Sequence, residues 1–218
     1  MSRRPVTVRI RGIYTPPVSE AQLPGERPIG PYERRPVSVG PWDPHVVVVA
    51  DRVIGIIEDR RPELHVEHIG STAVVGLPGK GIVDLGTETD PIAIPDVTNA
   101  MYDLGFGPQQ GPDPWPPERP MLVGSYADNH GEYRIHLHVQ PTGGDFPLDL
   151  AFRDALRADP ALASEYARVK LEIVDAADGP LDGPVYQDGK GAWIVETFDK
   201  LGIPRPRPSA ARRQEVGS

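Results

Sequence analysis

An α/β (α+β) domain with a small mixed sheet is the fold class this sequence predicts, and three observations predict it. Apolar residues recur at helical spacing in the stretches 46–57 and 162–173, short runs suited to strands lie at 64–69, 82–88, 120–126 and 133–140, and the order is helix, strands, helix, strands, helices. With 218 residues and 39% hydrophobic content the chain can bury one sizeable core.

The elements follow in chain order. Asp43 as N-cap and Pro44 at the first helical position open a helix carrying Val46, Val49, Val53, Ile56 and Ile57, which ends before Pro62. The β-branched residues Val46 to Val49 would also suit a strand, but the segment exceeds ordinary strand length. Strands are expected at residues 64–69 and 82–88, with a glycine-punctuated connection between them. Asp96 caps a short helix running to Leu104 and stopped by Gly105. Residues 105–120 are rich in Pro and Gly and read as a long loop, either a lid over a site or an insertion. Residues 120–126 and 133–140 pair through the turn Asp128-Asn129-His130-Gly131. A helix over 147–157 aligns Leu148, Phe152 and Leu156, with Asp149 and Arg153 at ion-pair spacing. Asp159 and Pro160 start the next, with Leu162, Tyr166, Val169 and Ile173 in line. A last helix over 192–201 turns Ile194, Phe198 and Leu201 inward and stops at Gly202.

Both ends differ from this middle. Residues 1–36 are rich in Pro and Arg and read as an extended or docking arm that could wrap a second subunit, residues 204–218 as a disordered tail, and residues 37–203 as the working domain. A net charge of -8 argues against a broad nucleic-acid surface, because duplex binding sets many Lys and Arg against phosphates. Without cysteine there is no disulfide, thiolate zinc site or cysteine nucleophile. No apolar run approaches a membrane span, and Met1-Ser2-Arg3-Arg4-Pro5 is not followed by a signal-peptide core, so the expected location is the cytoplasm, with no membrane partner.

The chemistry concentrates in three places. Gly70-Ser71-Thr72 follows one strand; Gly70 lets the backbone approach a ligand, and the N–H groups and hydroxyls of Ser71 and Thr72 can donate to phosphate oxygens, although such a tripeptide is usually only a turn. Lys80 adds a charge between Gly79 and Gly81. Asp84 interrupts the apolar run Ile82-Val83-Asp84-Leu85, where an unpaired carboxylate is costly, so it faces either a partner or an opening. His136 and His138 alternate with Ile135, Leu137 and Val139 and therefore share one strand face, as metal ligands, as a base with its orienter, as phosphate contacts, or as partly buried structural histidines. His65 and His68 face opposite sides of a regular strand and make a poor ligand pair. Arg153, Tyr166, Lys170, Tyr186 and Lys190 recur late; Tyr166 and Lys170 are one helical turn apart and could face a ligand groove, though a Tyr on an apolar helix face is more often core.

Together these residues resemble the GrpB family, which is related to the extra domain of some dephospho-coenzyme A kinases. The resemblance rests on His68-Ile69-Gly70-Ser71-Thr72-Ala73-Val74, Gly76-Leu77-Pro78-Gly79-Lys80 through Asp84, His136-Leu137-His138-Val139, Phe152-Arg153-Asp154-Ala155-Leu156-Arg157, Tyr166, Lys170, Tyr186 and Lys190, in the family's order. It implies a nucleotidyltransferase-like fold in which a Gly-Ser turn holds a triphosphate and strand carboxylates hold Mg2+ or Mn2+ for transfer to a small-molecule acceptor. On that basis Asp84 is an expected catalytic residue and metal ligand; His136 and His138, which stand where a later strand might supply a third acid, are the other expected catalytic residues, with His138 beside Asp84 on the metal. Gly70, Ser71, Thr72, Lys80, Arg153, Tyr166, Lys170, Tyr186 and Lys190 are then expected on the nucleoside triphosphate. The sequence also departs from that pattern. Gly86 stands where a second carboxylate would project beside Asp84, Glu88 is roughly 13 Å further along a regular strand, and Val75 replaces the family's proline. The missing acid leaves two alternatives: a non-catalytic nucleotide- or phosphate-binding module, or a small-molecule ligase or hydrolase using Asp84, His136 and His138.

Overall fold

Among the described residues three Asp-Pro dipeptides start helical segments, and all three use the same local bond. In the computed structural model, which describes residues 27–111, 114–181 and 183–205, the aspartate at each dipeptide accepts from the N–H two residues on. Asp43 Oδ1 accepts from His45 N at 2.8 Å, Asp90 Oδ1 from Ile92 N at 2.9 Å, and Asp159 Oδ1 from Ala161 N at 2.9 Å. Proline fills a position whose own N–H would have no partner. These bonds precede α1 (His45–Arg60), a short 3₁₀ turn (Pro91–Ala93) running into α2 (Ile94–Leu104), and α4 (Pro160–Asp175). The capping acid of the second helical segment is thus Asp90, not Asp96; Asp96 sits in the first turn of α2 and pairs with Arg61 Nη1 at 2.7 Å.

The strands are β1 (Glu67–Ile69), β2 (Ile82–Thr89), β3 (Gly107–Pro108), β4 (Met121–Asp128) and β5 (Gly131–Pro141). They form one five-stranded sheet in the order β1-β2-β5-β4-β3, with β2 and β5 parallel and the other neighbours antiparallel. The mixed sheet flanked by helices is the fold the sequence predicts. Alternation along β2 and β5 separates two faces. Val83, Leu85, Ile135, Leu137 and Val139 are fully buried against Val46, Val49 and Val53 of α1 and Val97 and Met101 of α2. Asp84, His136 and His138 therefore lie on the other face, toward α3 (Phe146–Ala158), α4 and α5 (Gly183–Leu201).

Several local expectations change. Helix α5 begins at Gly183, nine residues before position 192, and so carries Tyr186 and Lys190. Gly183, Gly189 and Gly191 weaken the helical signal there, but a Cβ on Gly189 would lie 3.1 Å from Ile173, so the glycine lets α5 approach α4 closely. Leu201 is 42% exposed rather than inward. Asp149 and Arg153 do not pair: Asp149 Oδ2 accepts from Gln140 Nε2 at 2.8 Å, and Arg153 Nη1 reaches Glu67 Oε2 at 2.9 Å. Residues 27–36, read as arm, lie on the sheet. Ile29 is 2% exposed and Gly30 exchanges backbone bonds with Ser125. Residues 1–26 and 206–218 lie outside the described residues, as do the remaining expectations for the arm and tail. Among the described residues no helix is long and apolar enough to cross a membrane.

Candidate functional site

Parallel pairing of β2 with β5 sets Asp84 opposite His136 and Gly86 opposite His138. The result is a carboxylate between two imidazoles: His136 Nδ1 is 3.3 Å and His138 Nε2 is 3.8 Å from Asp84 Oδ1. One ligand atom from each lies within 4.8 Å of the others, a donor set that fits a divalent cation. Burial alone raises the Asp84 carboxyl, but the two imidazoles beside it outweigh that and hold the group well below the usual carboxylate range. Burial dominates at His136 and pushes that imidazole down, so it is neutral near pH 7. Neutral imidazole is the form that ligates a metal or takes up a proton.

The turn above this carboxylate is built around Gly70, whose φ is 68°. A Cβ there would lie 2.5 Å from Asp84 Oδ2, so only glycine lets the chain pass so close. Next comes a 3₁₀ turn, Ser71–Ala73. The Ser71 hydroxyl lies against Gly79, where a Cβ would be 2.7 Å from Oγ. Thr72 is employed differently from the sequence expectation. Its hydroxyl donates to Ile82 O at 3.0 Å and, with that proton committed, accepts from His68 Nε2 at 2.9 Å. Burial pushes His68 down to about 4, in keeping with a neutral ring. The Thr72 side chain thus ties the turn to β2, while its carbonyl accepts from Trp42 Nε1 at 3.0 Å.

Three lysines converge on the same turn from separate parts of the chain. Lys80 Nζ and Lys190 Nζ lie 5.4 and 5.1 Å from the centre of the Tyr186 ring, and Lys170 Nζ lies 4.7 Å from that of Tyr166. Lys170, 1% exposed, also donates to Pro78 O. Burial and the neighbouring ammonium groups push Lys170 down to about 7; burial brings Lys80 and Lys190 down to about 8, against the opposing charge of Asp84. Cations buried together store a cost that an anionic ligand relieves. Tyr166 and Tyr186 are 5% and 1% exposed and form the aromatic wall under them, with Tyr166 stacked on Trp193 at 4.9 Å. Both phenols are raised, chiefly by burial, and Asp84 adds to the effect at Tyr166.

Arg153 does not join this group. It bonds Glu67, Asp154 and His68 O, and it lines a separate cavity of about 720 Å³ between α1, β1, α3 and α4. Conversely, two aromatic residues beside the histidines escaped the sequence reading. The Tyr32 hydroxyl is 3.1 Å from His136 Nε2, and the Trp115 ring meets His138 edge-on at 5.2 Å, with the Arg119 guanidinium over its face. Neither lies in a periodic element. The available signal was a large aromatic set among prolines, Pro31-Tyr32 and Pro114-Trp115-Pro116. Asp149, read from the sequence only as a partner for Arg153, also belongs beside the histidines. From α3 it bonds Gln140, burial raises its carboxyl, and His138 and Asp84 both act on it electrostatically.

The absent second carboxylate has a steric cause. A Cβ on Gly86 would lie 2.7 Å from the Phe146 ring and 3.0 Å from Ile69. Phe146, 4% exposed, fills the space an acid would need. Gly86→Asp is expected to destabilise the fold by about 1–3 kcal/mol, from overpacking and a crowded carboxylate. The loss is expected to be smaller in a Phe146→Ala background, read by a double-mutant cycle in urea; equal losses in both backgrounds would clear Phe146 as the obstacle.

Comparison with known proteins bears on the fold and the family. The chain is 32% identical over 132 residues to the UPF0157 protein YqkA of Bacillus subtilis, covering 59% of this chain and 36% of that protein. It is 27% identical over 189 residues to a dephospho-CoA kinase of Mycolicibacterium paratuberculosis, covering 76% of this chain and 46% of the kinase. It thus spans less than half the length of either relative. The crystal structure of the conserved protein GrpB from Enterococcus faecalis superposes with a TM-score of 0.58 at 24% identity, covering 75% of this chain and 96% of that one, which establishes a shared fold. The family model for GrpB protein matches residues 36–200, taking in the Gly-Ser turn, the Asp84 strand, both histidines and the three lysines, and the chain belongs to the GrpB family.

Proposed function

We propose that this protein binds a nucleoside triphosphate with a divalent cation and transfers the nucleotidyl group to a small-molecule acceptor. The observation that carries the reading is the placement of Asp84 between His136 and His138, under the Gly70-Ser71 turn and across from Lys80, Lys170 and Lys190. Asp84 and His138, with His136 in reach, would hold the cation, and the imidazoles favour Mn2+ over Mg2+. When bound, such a cation neutralises phosphate charge. The lysines and Ser71 would take the phosphate tail, with Tyr166 and Tyr186 fixing the lysines in place. The acceptor oxygen would bond to the α-phosphorus as the bridge to the β-phosphate breaks and pyrophosphate leaves. His136 Nε2 would take up the acceptor's proton by way of the Tyr32 hydroxyl, which passes its own proton to the ring and receives the acceptor's, while Nδ1 faces Asp84.

Phe146 in the place of a second acid supports a second reading, binding without turnover. One experiment separates the two. Pyrophosphate release is measured with each nucleoside triphosphate, Mn2+ and a broad acceptor panel, alongside binding. Release that needs an acceptor and is lost in Asp84→Asn is expected for the transferase. Binding with no release across the panel assigns the module, and absence of binding contradicts both.

A further inference from the structure

A second set of metal-binding side chains lies at the far end of the β4–β5 hairpin. His45 begins α1, Asp128 ends β4 and His130 lies in the turn, and one ligand atom from each is within 4.8 Å of the others. Val123 pairs with His136, and Asp128 is five residues further along β4. That is roughly 17 Å at about 3.3 Å per residue, too far to share an ion with Asp84.

The geometry is organised around the carboxylate. His45 Nε2 is 2.8 Å from Asp128 Oδ2, and His130 Nδ1 is 3.7 Å from Asp128 Oδ1. These separations bracket the roughly 3.4 Å between ligand atoms set tetrahedrally at about 2.1 Å from zinc. The two imidazoles stack at 3.9 Å, so the exposed His130 ring must turn for its in-plane lone pair to meet that of His45 at one ion. Surrounding bonds hold the parts in place. Arg52 Nη1 donates to Asp128 Oδ2 at 2.7 Å and the His130 N–H donates to Oδ1 at 2.9 Å. The His45 N–H donates to Asp43, whose other oxygen accepts from the Tyr133 hydroxyl at 3.0 Å. The side chain of Asp128 is 8% exposed and that of His45 16%, whereas that of His130 is 58% exposed, so solvent reaches the cluster from one side. A site with two imidazoles, one carboxylate and a solvent-facing position suits a borderline divalent cation rather than Mg2+ or Ca2+.

We infer that His45, Asp128 and His130 form a second divalent-metal site, for zinc, cobalt(II) or nickel(II), which ties the start of α1 to the β4–β5 turn. The site is independent of the reading given to Asp84, and its test is arranged accordingly. The full chain without an affinity tag, carrying Asp84→Asn and His138→Ala, is titrated with cobalt(II) and followed by visible absorption and calorimetry. One equivalent bound, a raised Tm, and at least a tenfold loss of affinity on adding His130→Ala are expected. Should the Asp84→Asn, His138→Ala chain fold poorly, the same titration of the wild-type chain is expected to lose one equivalent on His130→Ala, a change confined to an exposed side chain. Stoichiometry and affinity untouched by His130→Ala, or no cobalt bound, overturns the inference.

Discussion

Asp84→Asn is expected to weaken Mn2+ binding by more than about 100-fold and, with it, metal-dependent binding of nucleoside triphosphate. Loss of groups that merely orient metal ligands costs about 10–100-fold, and Asp84 is the carboxylate of the proposed ligand set itself. Asparagine preserves shape, so the change tests charge and coordination rather than packing. Stability supplies a second readout. Because the neighbouring His136 and His138 imidazoles hold the Asp84 carboxyl below its ordinary value, its ionised form stabilises the fold at pH values above the usual carboxylate range. That contribution is lost as pH falls beneath about 4, toward the folded-state value. Asparagine resembles the protonated acid, so the variant is expected to be somewhat less stable at pH 7 and to approach the wild type in acid, read by denaturant midpoints. A gap that stays constant with pH would mean that the histidines do not act on this carboxylate.

Lys170→Met is expected to move affinity and stability in opposite directions. The ammonium group lies in the protein interior beside two other lysines, and burial with their charge brings it down to about 7. Its ordinary value is near 10.5, so between about pH 7 and 10 the unfolded chain holds a proton that the folded chain releases. Stability of the ligand-free wild type is therefore expected to rise with pH across that window, and the penalty for the buried charge is complete below about 7. Methionine removes the penalty, making the variant more stable by about 1–3 kcal/mol at neutral pH, after allowance for the Pro78 carbonyl it leaves behind. The same change removes a charged donor from the proposed phosphate site, and affinity for nucleoside triphosphate is expected to fall about 10–100-fold. In the wild type, affinity is expected to weaken as pH rises from about 7 to 9, because Lys170, Lys80 and Lys190 lose their protons. A variant that lost stability and kept affinity would make Lys170 a structural residue.

Much of this architecture was legible because it is periodic. Alternation in residues 135–139 separated core from site, and the register set His136 beside Asp84. The Asp-Pro starts of α1 and α4 could be read from local chemistry, and the start at Asp90 could have been found by the same rule. What stayed hidden depends on long-range packing. Nothing local in Gly183 to Gly191 announces the first half of α5, whose glycines suit a close approach to α4. Tyr32 and Trp115 lie in Pro-rich stretches whose positions are set by the sheet they cross, and Arg153 carries no sequence mark that it turns to Glu67 rather than to Asp149. Gly86 was visible as a departure, but Phe146, which occupies the vacated space, is 60 residues away in the chain.

The most direct measurement is isothermal titration of the full wild-type chain with ATP, GTP, CTP and UTP, each with and without Mn2+, beside Asp84→Asn. The expected result is binding of at least one nucleotide that requires Mn2+ and disappears in the variant. Failure of all four to bind, or binding indifferent both to Mn2+ and to Asp84→Asn, would contradict the assignment of this face of the sheet to a metal-bound nucleotide.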